Sequence, residues 1–473
     1  MFDCCEKLPK RNQLLSNLSH KIKDAAQKVS NISGVSNQHH ASLQQRLNMQ
    51  VILTTLIACG LLHYGQSFLG HSEPLEAPLG YVPSNAHVFK EAIPHFSSRR
   101  DIVQRSILQP DHVHQLEFVL QLRNMDELER IVHDIANPLS ANYGQHMSAE
   151  QVNAMTMNPE GRDAIVNYLH ANGATVVGET LNSEFITATA PISVWNKVLH
   201  TEFSLFHQEK YDGKIEQQVR AETYSIPNEL DDHVTCVLNA VDLPVVMHGG
   251  VILPLTNHEV KLSAEMHTSA NPAFYTGWIL PKILTKYYNV TGYSGSAQST
   301  QAVYGGNEDY FSPGSLAYFQ REVAKIPVQA AIIKNGYASE DPTKDYSEGN
   351  LDIQYLMSVS QKSPTTYWHT YTGVGLWLRD VLLTTNIPLV LSISYGAEEK
   401  YTSMGEHQTF TTAAIKMAAT GITITAAAGD DGANTRKSCS YSPIYPASNP
   451  YVLSIGATAV SFFINLQTLP NLT

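Results

Sequence analysis

Pro388-Leu-Val-Leu-Ser-Ile-Ser-Tyr-Gly396 decides the fold. It reads as a near-continuous apolar strand that stops at a Tyr-Gly pair, the pattern of a strand covered on both faces. Around it the sequence alternates. Strands are predicted at 298–305, 328–334, 365–371, 388–395, 422–428 and 451–459, and helices at 312–323, 346–358, 374–386 and 405–420. Strand–helix alternation of this kind implies an α/β domain, a parallel sheet with helices on both faces. Functional groups in such sheets gather at the carboxyl ends of the strands.

Upstream the rhythm differs, and 86–210 reads as a compact α+β unit. Leu116, Phe118, Leu120 and Leu122 alternate along a strand at 114–122. Asn124, with Glu127 three residues on, is expected to cap a helix whose stripe is Leu128, Ile131, Val132 and Ile135. Ser148 with Gln151 starts a second helix, and Asn158-Pro159 starts a third that Gly173 closes. Strands at 174–179, 183–190 and 202–207 and a helix at 191–199 complete the unit. Residues 208–276 show few strong elements, and 248–276 reads as a linker.

The ends and the composition bound the rest. A polar extension, 1–48, precedes the apolar run Val51–Leu62, whose 12 residues fall short of the roughly 20 that span a bilayer. The run fits a signal-peptide core with a small-x-small site at Gly65-Gln66-Ser67, so 49–67 is expected to be a signal peptide and no stable membrane span is expected. A retained anchor is the competing reading. Sequons at Asn289 and Asn471 agree with secretion. A net charge of −12 argues against a nucleic-acid partner. None of the five cysteines forms a CxxC pair, which removes zinc-ribbon and thioredoxin readings. Thirteen of the 20 histidines fall between His87 and His267, a segment whose charge would respond to acid.

Three segments could carry chemistry. Glu348 and Asp352, in Ser347-Glu-Gly-Asn-Leu-Asp-Ile-Gln-Tyr-Leu-Met357, share a helix face and repel unless one is protonated or they share a proton. A solvated helix face reads equally well from this segment alone. Ile424-Thr-Ala-Ala-Ala-Gly-Asp-Asp-Gly432 ends a strand in a Gly-Asp turn that presents Asp430, and an ordinary turn would look the same. Ser394-Tyr395-Gly396 is either a site edge or a buried strand end.

In order and spacing these segments together resemble the sedolisin (serine-carboxyl) peptidases. Glu348–Ser358 resembles the family's carboxyl helix, Gly429–Gly432 its Gly-Asp-Ser-Gly turn, and Tyr445-Pro-Ala-Ser-Asn-Pro-Tyr-Val452 the stretch that follows. Leu120-Gln-Leu-Arg-Asn124, Pro138–His146 and Tyr224–Leu230 resemble its activation prodomain. The resemblance runs over roughly 86–460 and leans slightly towards the tripeptidyl-peptidase members. It implies a subtilisin-like parallel sheet, partial here, preceded by an α+β ferredoxin-like prodomain at 86–247, a linker cleaved on maturation at 248–276 and a peptidase domain at 277–473.

The implied roles are specific. Glu348 would be the general base for a serine, Asp352 its orienter and Asp430 the oxyanion donor, while Ser394, Tyr395 and Gly396 would bind substrate. An Asp can donate to an oxyanion only when protonated, which implies an acid optimum. Peptides or unfolded proteins would be the substrates, the chain's own prodomain a partner, and the lysosome or the extracellular space the destination. The family's Gly-Thr-Ser-Ala nucleophile motif and its C-terminal calcium site do not occur by Thr473, so the 473 residues are expected to lack the serine and the calcium, and no metal ligands are assigned. The alternative is a catalytically dead secreted pseudopeptidase, or a prodomain-type inhibitor or binding protein.

Overall fold

The computed structural model describes residues 86–209, 214–243, 279–290, 292–306, 309–344, 346–370, 373–430, 432 and 442–457. The expected extension at 1–48, the signal peptide at 49–67 and the linker at 248–276 lie outside the described residues. The described residues form an N-terminal and a C-terminal lobe.

The N-terminal lobe begins with β1 (His87–Ala92), β2 (Ile102–Ile107) and β3 (Val113–Leu120). Helices α1 (Met125–Ala136), α2 (Ala149–Thr156) and α3 (Pro159–Ala171) follow, then β4 (Thr175–Glu179), β5 (Phe185–Pro191), α4 (Ile192–Val198) and β6 (Phe203–Glu209). Ser148 and Gln151 form the expected capping box, and Asn158 accepts from Gly161 N–H. Asn124 departs from expectation in part. It stands at the N-cap of α1, as expected, but in the left-handed region, where its side chain makes no cap hydrogen bond and its amide donates to the Met155 carbonyl at 2.8 Å.

Three strands appear where few elements were expected: β7 (Ile215–Ala221), β8 (Thr223–Pro227) and β9 (Val234–Leu238). The central sheet runs β4-β5-β3-β9, all antiparallel, with β2-β6-β7 and β1-β8 as smaller sheets. Buried Phe118, Trp195, Phe206 and Tyr224 anchor this lobe's core.

In the C-terminal lobe the expected alternation holds. After α5 (Pro281–Tyr287), which the sequence reading did not include, come β10 (Gln301–Gly305), α6 (Pro313–Tyr318), β11 (Ile332–Lys334), α7 (Ser347–Val359), β12 (Thr365–His369) and α8 (Val374–Leu382). Then follow β13 (Val390–Ile393), β14 (Ala397–Glu398), α9 (Met404–Ala419), β15 (Thr423–Ala427), β16 (Ile444–Tyr445) and β17 (Leu453–Ile455). Six strands form a parallel sheet in the order β11-β12-β10-β13-β15-β17. Trp377, Leu378, Phe410 and Met417 from α8 and α9 belong to one core cluster, and Ile353 and Met357 of α7 to another. Among the described residues no helix is long and apolar enough to cross a membrane.

The lobes meet on α9, which packs against α1 and β9. Leu128, Val132 and Val152 form an apolar cluster with Ile415 and Ala419, and Val119, Phe185, Cys236 and Leu238 form another against Leu376. Two ion pairs cross this contact, Glu184–Lys416 and Glu117–Arg379. Lys416 is 4% exposed and its partner 11%, so neither charge keeps much water. A buried pair loses more from the removal of one partner than it contributes when intact. Glu184→Ala should therefore lower stability by about 3 kcal/mol, and adding Lys416→Met should recover most of the loss. Thermal denaturation of the full chain checks this, and equal destabilisation by both variants would rule it out.

Candidate active site

Helix α7 starts at Ser347, and Glu348 lies in its first turn with 7% of its surface exposed. Asp352 follows one turn later on the same face and is hydrogen-bonded to Glu348. Two carboxyls bond to each other only through a proton. Burial, and after it the Glu348 charge, hold Asp352 well above the usual carboxylate range. Asp309 adds to the shift, and the Ser394 hydroxyl opposes it, donating to Asp352 Oδ1 at 2.8 Å.

Asp309 was not foreseen. Its carboxylate accepts from the Gly349 N–H and, at 2.7 Å, from the Tyr395 hydroxyl. The Tyr367 hydroxyl donates to its backbone carbonyl at 3.2 Å. The helix is thus tied down at the residue next to Glu348. Gly349 is needed for the fit, since a Cβ there would collide with the Tyr310 carbonyl and lie 2.7 Å from the Tyr367 hydroxyl. No sequence signal marked Asp309, which stands in a polar stretch after β10 and reads as loop.

The expected substrate-binding residues divide. Ser394, just past β13, turns its hydroxyl to Asp352. Tyr395 is 3% exposed, with its hydroxyl given to Asp309, so its ring is a support beneath the carboxyl pair. Gly396 lets the chain pass close to Ile444, whose Cγ2 would lie 2.5 Å from an added Cβ. Asp430 is exposed in the turn after β15, preceded by Gly429 at φ 88°. Because β13 and β15 are parallel neighbours, Ser394 and Asp430 leave the same sheet edge. Asp431 lies outside the described residues. Among the described residues no group of three or more His, Cys, Asp or Glu is arranged to hold a metal ion.

The raised Asp352 value fixes a pH dependence. The proton-sharing pair contributes stability that is fully present below the ordinary carboxylate range. That stability is lost as pH rises through the raised value, when two buried charges would face each other. Asp352→Asn should thus raise the thermal midpoint near about pH 8 and change it little near about pH 4. An equal shift at both ends would show that no proton is shared.

Residues 100–243 match the family described as Pro-kumamolisin, activation domain. Human tripeptidyl-peptidase 1 is 26% identical over 369 residues, covering 74% of this chain and 62% of that protein. Tripeptidyl-peptidase 1 of Dictyostelium discoideum is 27% identical over 380 residues, with 72% and 61% covered. Physarolisin of Physarum polycephalum is 27% identical over 371 residues, with 73% and 60% covered. The chain spans about three-fifths of the length of these relatives. With its activation-domain match over 100–243 and its similarity to tripeptidyl-peptidase 1 and physarolisin, this chain is a relative of the sedolisin peptidases.

Proposed function

We propose that this chain is the zymogen form of an acid-acting serine-carboxyl peptidase that hydrolyses peptide bonds in peptides or unfolded proteins. The hydrogen-bonded Glu348–Asp352 pair, buried at the carboxyl edge of a parallel sheet, carries the reading. Glu348 would take the proton of a serine nucleophile and return it to the leaving amine, with Asp352 orienting it. Asp430, protonated, would donate to the oxyanion. The sheet order β11-β12-β10-β13-β15-β17 supports a subtilisin-like domain. The β4-β5-β3-β9 order, with helices between its strands in sequence, supports a ferredoxin-like prodomain. Routing through the secretory pathway to the lysosome or cell exterior is part of the same proposal.

A Gly-Thr-Ser-Ala segment has to supply the nucleophile, and where it is absent the site should bind peptide without turnover. The test is a peptidase assay near about pH 4 on the 473-residue chain and on the chain extended by that segment. The extended chain should cleave, and Glu348→Gln should cost it about 10⁴-fold or more in rate. Full activity in the Gln variant would remove Glu348 from the mechanism, and an inactive extended chain would favour the inhibitor or binding-protein reading.

A further inference from the structure

Asn335, Gly336 and Tyr337 follow β11 at the carboxyl edge of the sheet and are all left-handed, with φ 65°, 84° and 68°. Two of the three are not glycine, so the turn is unfavourable on its own and persists because its surroundings fix it. Asn335 donates its amide to the His369 carbonyl at 2.9 Å, and Phe311 N–H donates to the Tyr337 carbonyl at 3.2 Å. The Tyr337 ring lies flat on His369, with centroids 3.3 Å apart and planes 5° from parallel. On its other contacts Tyr337 meets Tyr310 at 4.4 Å, and Tyr310 meets Tyr346 edge-on at 6.3 Å.

These tyrosines differ from the core ones. Tyr304, Tyr367 and Tyr395 are buried, whereas Tyr310, Tyr337 and Tyr346 are half-buried. Tyr337 packs against the core cluster of Phe311, Ile353 and Tyr367, yet its ring stays half-exposed at the end of a strained turn. The three rings are also fixed to the candidate base. Tyr346 is the N-cap residue just ahead of α7, two before Glu348, and Tyr310 follows Asp309, whose carboxylate holds the Gly349 N–H. Lys344 marks the outer rim, with its ammonium 5.2 Å from the Tyr310 ring centre. Rigid phenol rings give broad contact area at little entropic cost, and they take other rings edge-on or offset.

We infer that Tyr310, Tyr337 and Tyr346 form a shelf that receives one aromatic or long aliphatic side chain of the peptide presented to Glu348. The inference rests on the peptidase reading above. The shelf is a specificity element with no part in the proton transfer, so its loss changes which peptides are held.

The test is titration calorimetry on the full chain with hexa-alanine and its variants carrying a single Phe walked along the peptide. At one position Phe should bind about tenfold tighter than Ala. That ratio should fall below about twofold in Tyr310→Ala and in Tyr346→Ala, and Tyr310→Phe should keep it. A ratio that survives in both alanine variants overturns the shelf, as does the absence of any Phe preference in the unaltered chain. In either case hexa-alanine binding leaves the peptidase reading standing. If the unaltered chain holds none of these peptides, the peptidase reading falls and the shelf falls with it.

Discussion

The arrangement at the sheet edge depends on keeping a carboxyl pair out of water. An ionised carboxylate loses several kcal/mol of hydration on burial, and a second one beside it adds repulsion. Glu348 and Asp352 meet that cost by sharing a proton, and their neighbours fit that solution. Asp309 accepts from two donors, Gly349 N–H and Tyr395 OH, which is work for a carboxylate. Burial first, then the Asp309 charge, pushes the Tyr395 phenol far above its ordinary range, so it stays a donor. Three carboxyls are thereby sorted into one acceptor and one proton-sharing pair. Moving water into this site would undo the sorting, because solvated carboxylates near neutral pH all ionise.

The lobe contact carries several buried carboxyls. Glu91 accepts from Gly405 N–H across the contact, and burial raises it to about 7. Glu406, beside Gly405 in sequence on α9, is raised to about 7 by the same cause and feels Asp242 of the N-terminal lobe. A raised carboxyl stabilises the docked state below its ordinary range and loses that contribution as pH rises through about 7. Burial also raises Glu117, and the Arg379 charge offsets that only in part, so its contribution has the same sign. All three carboxyls thus favour the docked state in acid, and any release of the lobe in acid has to overcome them.

Much of the C-terminal lobe was legible because its strands carry apolar runs and alternate regularly with helices, of which α7 and α9 are long. The predicted helix at 405–420 differs from α9 by one residue at each end. The strands at 215–238 were not legible. They are short, several of their residues are exposed, and Gln217, Gln218 and Arg220 interrupt any apolar run. The Glu348–Asp352 pairing was legible from spacing alone, since four residues on a helix fix a common face. Asp309 and Tyr395 were not, because their bond joins residues 86 positions apart and depends on β10 lying beside β13. Sequence spacing reports contacts within an element. Contacts between strand ends become visible only once the strand order is known.

That strand order also explains how the N-terminal lobe can matter to a site it does not enter. Glu91 holds Gly405 at the start of α9, and the next residue, Glu406, accepts from the Tyr445 hydroxyl at 3.2 Å. Tyr445 pairs with Ala397, one residue past Gly396, and Tyr395 then reaches Asp309 and through it the start of α7. A continuous set of contacts does not make a signalling path, which requires an element with two arrangements. Here each link is a short hydrogen bond or a strand pair in one geometry. Its physical effect is to hold the Ser394–Gly396 edge at a fixed height against α7, so the lobe that docks on α9 braces the carboxyl pair from the far side of Tyr445.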